Sequence, residues 1–183
     1  IITEGASMFL AGPALVKAAI GQEIDQETLG GAVTHSAISG TTDYHEPDDI
    51  SALDRIKSIL NYINISQDKF MEPAEILPPK HSTDDLIGLF NLESIGQYDV
   101  SEIIARIADN SEFSEYKKTY GKTLICGNCK IGGFNIGIVA NQKKIQKTET
   151  GKMEMGGVIY SDSADKAARF IMNCNQDRIP ILF

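Results

Sequence analysis

The chain has 183 residues, a length that suits one medium-sized domain and is short for two. Hydrophobic residues make up 42% and charged residues 23%, a composition that excludes disorder throughout and a disulfide-dense secreted scaffold. The formal net charge of −8 disfavours general nucleic-acid binding, and no apolar run reaches the roughly 18 residues of a membrane span.

The first third of the chain is predicted to contain one short strand and three helical segments. The strand is expected at 7–11 and the helical segments at 13–20, 25–28 and 49–62. Pro13 can open a helix because its missing N–H group would have no intrahelical partner there, and Gly21 can end it. The third helix is capped by Asp48 or Asp49. Its apolar stripe consists of Leu53, Ile56, Leu60 and Ile63.

Residues 64–97 have no clear hydrophobic period and contain Pro73, Pro78 and Pro79. A segment of this length without regular elements is uncommon inside a compact domain, so it indicates a domain junction. We therefore predict an ordered linker over this segment, between two units of the chain.

The remainder is predicted to alternate helices and strands. A helix begins at Asp99 and its amphipathic pattern continues over 113–120, and a glycine-rich turn joins two strands at 124–126 and 134–139. A lysine-rich surface segment follows at 142–157, and then a helix from 161–163 to Gln176 with Ala164, Ala167, Ala168 and Ile171 inward. A last strand at 179–183 completes a strand–helix–strand unit, which indicates an α/β layer.

Three features of this sequence each allow a chemical role and a structural one. Cys126-Gly-Asn-Cys129 matches C-x-x-C, but it lies on a predicted strand, whereas a redox pair needs a helix N-terminus, so we predict small buried hydrophobes. The pair Gly30-Gly31 can offer backbone N–H groups to an anion, or it can end a helix. His35 can act as a general base or as a structural hydrogen-bonding residue.

Positive charge is concentrated between residues 113 and 152. This basic strip holds eight lysines and two glutamates. Such a strip on an acidic protein fits a phosphate-bearing small ligand or an acidic partner, and the alternative is a solvated lysine face.

Several motifs together resemble the carboxyltransferase subunit of biotin-dependent acyl-CoA carboxylases, most closely the methylcrotonyl-CoA and propionyl-CoA type. In the first half these are Phe9-Leu-Ala-Gly-Pro13, Leu29-Gly-Gly-Ala32, His35, Ser39-Gly40 and Asp48-Asp49. In the second half Tyr98-Asp-Val100, Gly137-Ile-Val-Ala-Asn141, Ser163-Ala164 and Ile179-Pro-Ile-Leu-Phe183 follow the same family in the same order.

The resemblance implies an α/β, crotonase-like (ClpP/crotonase) carboxyltransferase fold with parts of two such units. Residues 1–63 would end the N-terminal carboxyltransferase domain, 64–93 would link, and 94–183 would start the C-terminal one. The chain begins at Ile1 rather than Met and stops at Phe183 inside an apolar run, so we expect a fragment of a longer protein. The family's glycine-rich oxyanion segments would lie outside it, which implies no catalytic residue in this chain.

The implied reaction is transfer of CO₂ from carboxybiotin, held on a carrier protein or domain, to an acyl-CoA. The family assigns the region matching 112–141 to acyl-CoA binding, which overlaps the basic strip. The implied cofactor-binding residues are Gly12, Gly30, Gly31, Gly132, Gly137 and Asn141, with no metal. The departure from the family at Cys126-Gly-Asn-Cys129 implies different local packing, and the departure at 142–157 leaves the acyl chain open.

The implied partners are a biotin carboxylase or biotin carrier subunit and further copies of the carboxyltransferase subunit, without nucleic acid or membrane. The implied location is the cytoplasm, or the mitochondrial matrix in a eukaryote. Two alternatives stay open: a biotin-dependent decarboxylase subunit of the same fold, and a non-catalytic acyl-CoA-binding or assembly module.

Overall fold

The computed structural model describes residues 1–63, 73–89 and 96–183. In chain order the first part holds β1 (Ile2–Thr3), α1 (Pro13–Ile20), α2 (Gln26–Gly30), a π-helix (Thr34–Ile38), β2 (His45–Glu46) and α3 (Asp49–Leu60). A 3₁₀ turn (Thr83–Asp85) and α4 (Leu86–Leu89) follow. The last part holds α5 (Val100–Ile107), a 3₁₀ turn (Asp109–Ser111), β3 (Ser114–Tyr116), β4 (Leu124–Ile131), β5 (Phe134–Asn141), β6 (Gln146–Lys147), β7 (Met153–Glu154), α6 (Ser161–Gln176) and β8 (Ile181–Leu182).

A four-stranded sheet in the order β3-β4-β5-β8 organises the second half. Strands β3, β4 and β5 pair antiparallel, and β8 returns through α6 to lie parallel to β5, with Ile138 opposite Leu182. The predicted glycine-rich turn is confirmed between β4 and β5, where Gly132 and Gly133 both have positive φ. The predicted strand–helix–strand unit is confirmed by the parallel pairing of β5 with β8.

Each face of the sheet is covered by one helix, because successive strand residues point to opposite faces. Helix α6 packs on the face that carries Tyr116, Leu124, Cys126 and Val139, through Ala167, Phe170 and Cys174. Helix α5 packs on the other face, where Val100, Ile104 and Ala108 meet Ile125, Cys129 and Ile138. Both buried clusters of the described residues therefore belong to the second half of the chain.

The elements of the first part are arranged differently. Strands β1 and β2 form a parallel two-residue pair, and helices α1 and α3 contain no buried residue. One predicted helix start and one predicted helix end are confirmed. Asp48 caps the start of α3 by accepting a hydrogen bond from the Ser51 N–H, and Gly21 ends α1 with a φ of 71°. The apolar stripe of α3 is exposed over Leu53, Ile56 and Leu60.

Two element predictions are wrong. Residues 7–11 do not form a strand, because only Ser7 makes a bridge, to Gly31, and no neighbouring strand pairs with the rest. The amphipathic pattern over 113–120 is not helical, since Ser114–Tyr116 pairs as β3 with β4 and so adopts the extended backbone of a sheet edge.

The inward face of α6 is also partly mispredicted. Ala164 and Ala168 are exposed, whereas Ala167 is buried as predicted. The large side chain of Phe170 faces the core and sets the rotation of the helix, which places Lys166 inside.

Of the predicted linker, 64–72 and 90–93 lie outside the described residues. Within the rest, the Ala74 N–H donates to the Gly133 carbonyl oxygen at 2.9 Å, so this segment pairs with the β4–β5 turn. The extent of the domains and of the linker stays a prediction.

Candidate functional site

Two of the predicted site residues, Gly12 and Gly30, approach the side chain of Phe9, and Gly31 follows Gly30 in the chain; we call this place the glycine junction. A Cβ added at Gly12 would lie 3.2 Å from the Phe9 ring, and one at Gly30 would lie 3.1 Å from it. A Cβ at Gly30 would also collide with the Met8 carbonyl oxygen. The chain can therefore pass this closely only because these residues carry no side chain.

Helix α2 places the glycine pair. It starts at Asp25, whose carboxylate accepts hydrogen bonds from the hydroxyl and the N–H of Thr28, and these bonds lower the pKa of Asp25. At its end the Gly31 N–H donates to the Glu27 carbonyl oxygen at 2.9 Å. The Glu27 carboxylate occupies the space where a Gly31 side chain would be. The Gly31 N–H is therefore already used inside the fold.

His35 lies on the π-helix beside this junction. Its Nε2 is 2.6 Å from the Met8 carbonyl oxygen. A carbonyl oxygen only accepts, so Nε2 is the donor and Nδ1 is an acceptor in the neutral ring. Nδ1 is buried and has no hydrogen-bond partner among the described residues. The geometry favours the structural alternative for His35, because Nε2 ties the Met8 segment to the π-helix and Nδ1 is shielded from solvent.

The other three predicted site residues are spread from the β4–β5 turn, which holds Gly132, along β5, which holds Gly137 and Asn141. The Gly132 N–H donates to the buried carboxylate of Asp109 at 2.9 Å in the turn before the strand. A Cβ at Gly137 would lie 2.8 Å from the Cys174 sulfur, so this glycine lets α6 approach the sheet. Asn141 is exposed at the far end of the strand. The structure thus brings together the three glycines of the first half but not these three residues, and a cofactor-binding role for all six stays a prediction.

The basic strip is half neutralised by acidic partners. Four of its lysines make ion pairs: Lys117 with Asp43, Lys122 with Glu149, Lys144 with Asp99, and Lys152 with Glu154. The other four make no ion pair with a described residue: Lys118, Lys130, Lys143 and Lys147. Cations that could meet a phosphate are therefore fewer than the sequence indicates.

Asp99 joins this strip to helix α5. Burial alone would raise the pKa of its carboxyl group, but hydrogen bonds from Gln142, Lys144 and Ser101 outweigh that effect and hold the pKa well below its usual range. The Asp99 carboxylate also caps α5 by accepting from the Ser101 N–H at 3.0 Å. The group is therefore charged at neutral pH and structural in character.

The three cysteines are buried and carry free thiols. Cys126 and Cys129 face opposite sides of the sheet, so their sulfurs cannot pair. Burial raises the pKa of Cys126 to about 11 and that of Cys129 to about 12. A thiolate is the nucleophile in cysteine chemistry, so the prediction of small buried hydrophobes is confirmed.

The structure buries charged side chains that the sequence analysis did not predict to be buried. Lys166 is fully buried on α6, and its nearest acidic group is Glu115 on β3 at 3.9 Å. Burial lowers the pKa of Lys166 and raises that of Glu115, and the opposite charge of the partner counteracts both shifts. Phe170 and Cys174 are four residues apart on the inner face of α6. The same spacing counted back from Phe170 places position 166 on that face, so the large apolar residues could have revealed it.

In the described ranges 1–63, 73–89 and 96–183, no helix is both long and apolar enough to cross a membrane.

Comparison with known proteins identifies a matching family and several relatives. The carboxyl transferase domain family matches residues 1–183. A probable mitochondrial methylcrotonoyl-CoA carboxylase beta chain of Drosophila melanogaster is 38% identical over 199 residues, which cover 100% of this chain and 32% of the relative. The methylmalonyl-CoA decarboxylase subunit alpha of Propionigenium modestum is 31% identical over 189 residues, which cover 100% of this chain and 34% of the relative.

Among solved structures, transcarboxylase 12S with methylmalonyl-CoA and methylmalonic acid bound is similar to this chain. The TM-score is 0.81 and the identity 30%, over 99% of this chain and 34% of that one. The chain thus spans about a third of the length of the relatives that it matches.

Proposed function

This chain belongs to the carboxyl transferase domain family, with the α/β, crotonase-like fold predicted above, and we propose that the protein containing it transfers a carboxyl group from carboxybiotin to an acyl-CoA. The observation that supports this most strongly is that the family matches every residue of the chain. A carboxylase beta chain that is 38% identical adds to it. Carboxybiotin would supply the activated carboxyl group.

The residues of this chain would bind and position rather than react. At the glycine junction the Gly31 N–H and the His35 Nε2 already make hydrogen bonds inside the fold, and the cysteines carry raised pKa values. We therefore propose that the reacting groups of the parent protein lie outside this chain, and that the junction holds the backbone shape on which a substrate surface rests.

The basic strip is the part of this chain that fits the phosphates of CoA. Four lysines without an acidic partner among the described residues provide positive charge for such a group. We propose that they attract acyl-CoA, and that Gly12, Gly30, Gly31, Gly132, Gly137 and Asn141 shape its binding surface. The acyl chain would be of the methylcrotonyl or propionyl type.

We further propose that 1–63 and 94–183 belong to two carboxyltransferase units joined at 64–93. The protein would work with a biotin carboxylase or biotin carrier subunit and with other copies of itself, in the cytoplasm or, in a eukaryote, in the mitochondrial matrix. The mitochondrial name of the Drosophila relative supports the location in the matrix, and the hexamer assembly named for transcarboxylase 12S supports assembly with other copies.

A second candidate function is decarboxylation by a subunit of the same family. It is favoured by the match to the methylmalonyl-CoA decarboxylase subunit of Propionigenium modestum, which is 31% identical. A third, an acyl-CoA-binding or assembly module without catalysis, would apply if the parent protein bound CoA but transferred no carboxyl group.

The test uses the full-length protein. Purified protein is incubated with carboxybiotin and a panel of acyl-CoA thioesters, and carboxylated thioester is quantified by mass spectrometry. We expect transfer to one short or branched acyl-CoA. Absence of transfer to every thioester would contradict the proposal. Carboxyl release that depends on a membrane decarboxylase subunit would favour the second candidate.

A further inference from the structure

A cavity of about 240 Å³ lies where the first part of the chain meets the end of α6. Tyr44 and Tyr62 line it from the first part, and Asn173 and Asp177 line it from the end of α6. We call it the tyrosine cavity. It contains none of the six predicted site residues, and the proposed carboxyl transfer does not use it.

Aromatic rings form much of the wall of the tyrosine cavity. Four rings line it, those of Tyr44, Tyr62, Tyr116 and Phe170. Burial, and then the charge of Asp43, raises the pKa of Tyr44 to about 12, and burial raises the pKa of Tyr62. These phenols are therefore neutral at neutral pH. The faces of such rings carry partial negative charge, so they attract a cation.

The carboxylates of the cavity leave a surplus of negative charge. Asp43 lines the cavity, but its carboxylate is paired with Lys117 at 2.7 Å. Asp177 also lines it and makes no ion pair with a described residue. It directly follows α6, a helix of 16 residues, and the C-terminal end of a helix carries partial negative charge. No lysine, arginine or histidine of the described residues is in the lining.

Two basic side chains lie close to the rings from outside the cavity, but neither adds net charge. Arg55 lies 5.2 Å from the centroid of the Tyr44 ring, and its Nε donates to the Glu46 carboxylate at 2.6 Å. The charge of Lys117 is balanced by Asp43. The fold therefore already contains one guanidinium held by a tyrosine face and a carboxylate, and it leaves the cavity itself without a cation.

These walls favour an organic cation over other ligands. The surplus negative charge repels an anion, and a neutral group leaves Asp177 without a counter-charge. No group of three or more His, Cys, Asp or Glu among residues 1–63, 73–89 and 96–183 is arranged to hold a metal ion. The apolar side chains of Ile59 and Ile179 also line the cavity and suit an alkyl chain attached to the cation.

We propose that the tyrosine cavity binds a guanidinium or ammonium group at the end of a short alkyl chain. The cation lies between the tyrosine rings and Asp177, and the chain lies against Ile59 and Ile179. Two sources share this chemistry, a small free amine and an arginine or lysine side chain of another protein.

The experiment measures the affinity of the full-length protein for butylguanidinium and for butylurea, its neutral isostere, by ligand-observed NMR titration. Butylguanidinium should bind at least about fivefold more tightly, because only the cation gains from the rings and from Asp177. N-acetylarginine methylamide, a blocked arginine, represents a protein side chain. Affinity equal to that of butylguanidinium identifies a protein as the source, and weaker affinity identifies a small amine.

Three variants locate the binding. Asp177→Asn should weaken butylguanidinium about fivefold and leave butylurea unchanged. Asp165→Asn is the matched control, because it makes the same charge change on an exposed side chain of α6 that pairs with Arg169 and does not line the cavity. It should change the affinity by less than about twofold. Asn173→Trp should abolish binding by filling the cavity from an exposed position.

The proposal is overturned if butylguanidinium does not bind the wild-type protein or if butylurea binds equally tightly. It is also overturned if Asp165→Asn weakens binding as much as Asp177→Asn, or if Asn173→Trp leaves binding unchanged. If Asp177→Asn does not fold, the two ligands and Asn173→Trp decide. The carboxyl-transfer assay is independent of these measurements, so a failure of the proposed function leaves this inference standing.

Discussion

Lys117 is the residue whose replacement tests most directly how the two halves of the chain are held together. Its ammonium group pairs with the Asp43 carboxylate at 2.7 Å and donates to the carbonyl oxygens of Gly40 at 2.6 Å and Thr42 at 3.1 Å. The lysine side chain is fully buried, whereas that of Asp43 is 46% exposed. We consider Lys117→Met, which keeps the apolar stem and removes only the charge and its donors.

Removal of one partner from a buried ion pair costs about 3–5 kcal/mol, because the other groups lose their partner without gaining water. Here the half-exposed Asp43 can rehydrate, while the carbonyl oxygens of Gly40 and Thr42 lose a charged donor. We therefore expect a cost at the low end of that range, about 3 kcal/mol. This corresponds to about a 150-fold change in the equilibrium between the closed and the locally opened contact.

Amide hydrogen exchange on the full-length protein measures this change locally, on peptides that cover 40–43 and 114–120. We expect exchange at these amides to become about a hundredfold faster in Lys117→Met, since opening of this contact limits it. Lys118→Met is the matched control, because that neighbouring side chain is exposed and makes no ion pair with a described residue. Equal exchange rates in both variants would refute the reasoning.

Three further predictions concern packing, buried charge and acid. Gly137→Ala should cost about 1–3 kcal/mol in urea unfolding, because its Cβ would press on Cys174; a stability equal to wild type would contradict the close approach. Lys166→Met alone should destabilise by leaving Glu115 unpaired, whereas Lys166→Met with Glu115→Gln should restore wild-type stability or exceed it, as thermal unfolding would show. Because the pKa of Asp99 lies below the ordinary carboxyl value of 3.8 in the folded protein, its charge stabilises the fold above that value, and this stabilisation is lost as the pH falls toward the folded pKa. Asp99→Asn should therefore lose less stability than wild type between pH 7 and pH 3. An equal loss in the two proteins would exclude a stabilising role for this charge.

Local signals predicted much of the fold. Helix α1 begins at a proline, which has no N–H group to leave unpaired, and helices α3 and α5 begin after an aspartate that accepts from an unpaired N–H group of the first turn. The β4–β5 turn occurs where two glycines allow positive φ. The errors at 7–11 and 113–120 arose where an element depends on a distant strand. Whether Ser114–Tyr116 is extended depends on its partners in β4, which lie ten to fourteen residues further along the chain, and no local period reports that pairing.

The site was predicted only in part for the same reason. The glycines could be singled out because residue type alone shows where the backbone needs no side chain, and Gly12 and Gly30 do approach Phe9. Their role in binding stays a prediction. Lys117, Lys166 and Glu154 were not found, because a charged residue in a sequence predicts a solvated position unless its partner is known.

The sequence by itself determined the family, the α/β class and the places where helices and turns begin, since these follow from residue type and short-range spacing. Only the tertiary structure decided which charges are buried and which lysines of the basic strip pair with an acidic side chain of the described residues. Those outcomes depend on contacts between residues far apart in the chain, such as Gly40 with Lys117. Burial strengthens such contacts and penalises every polar group left without one.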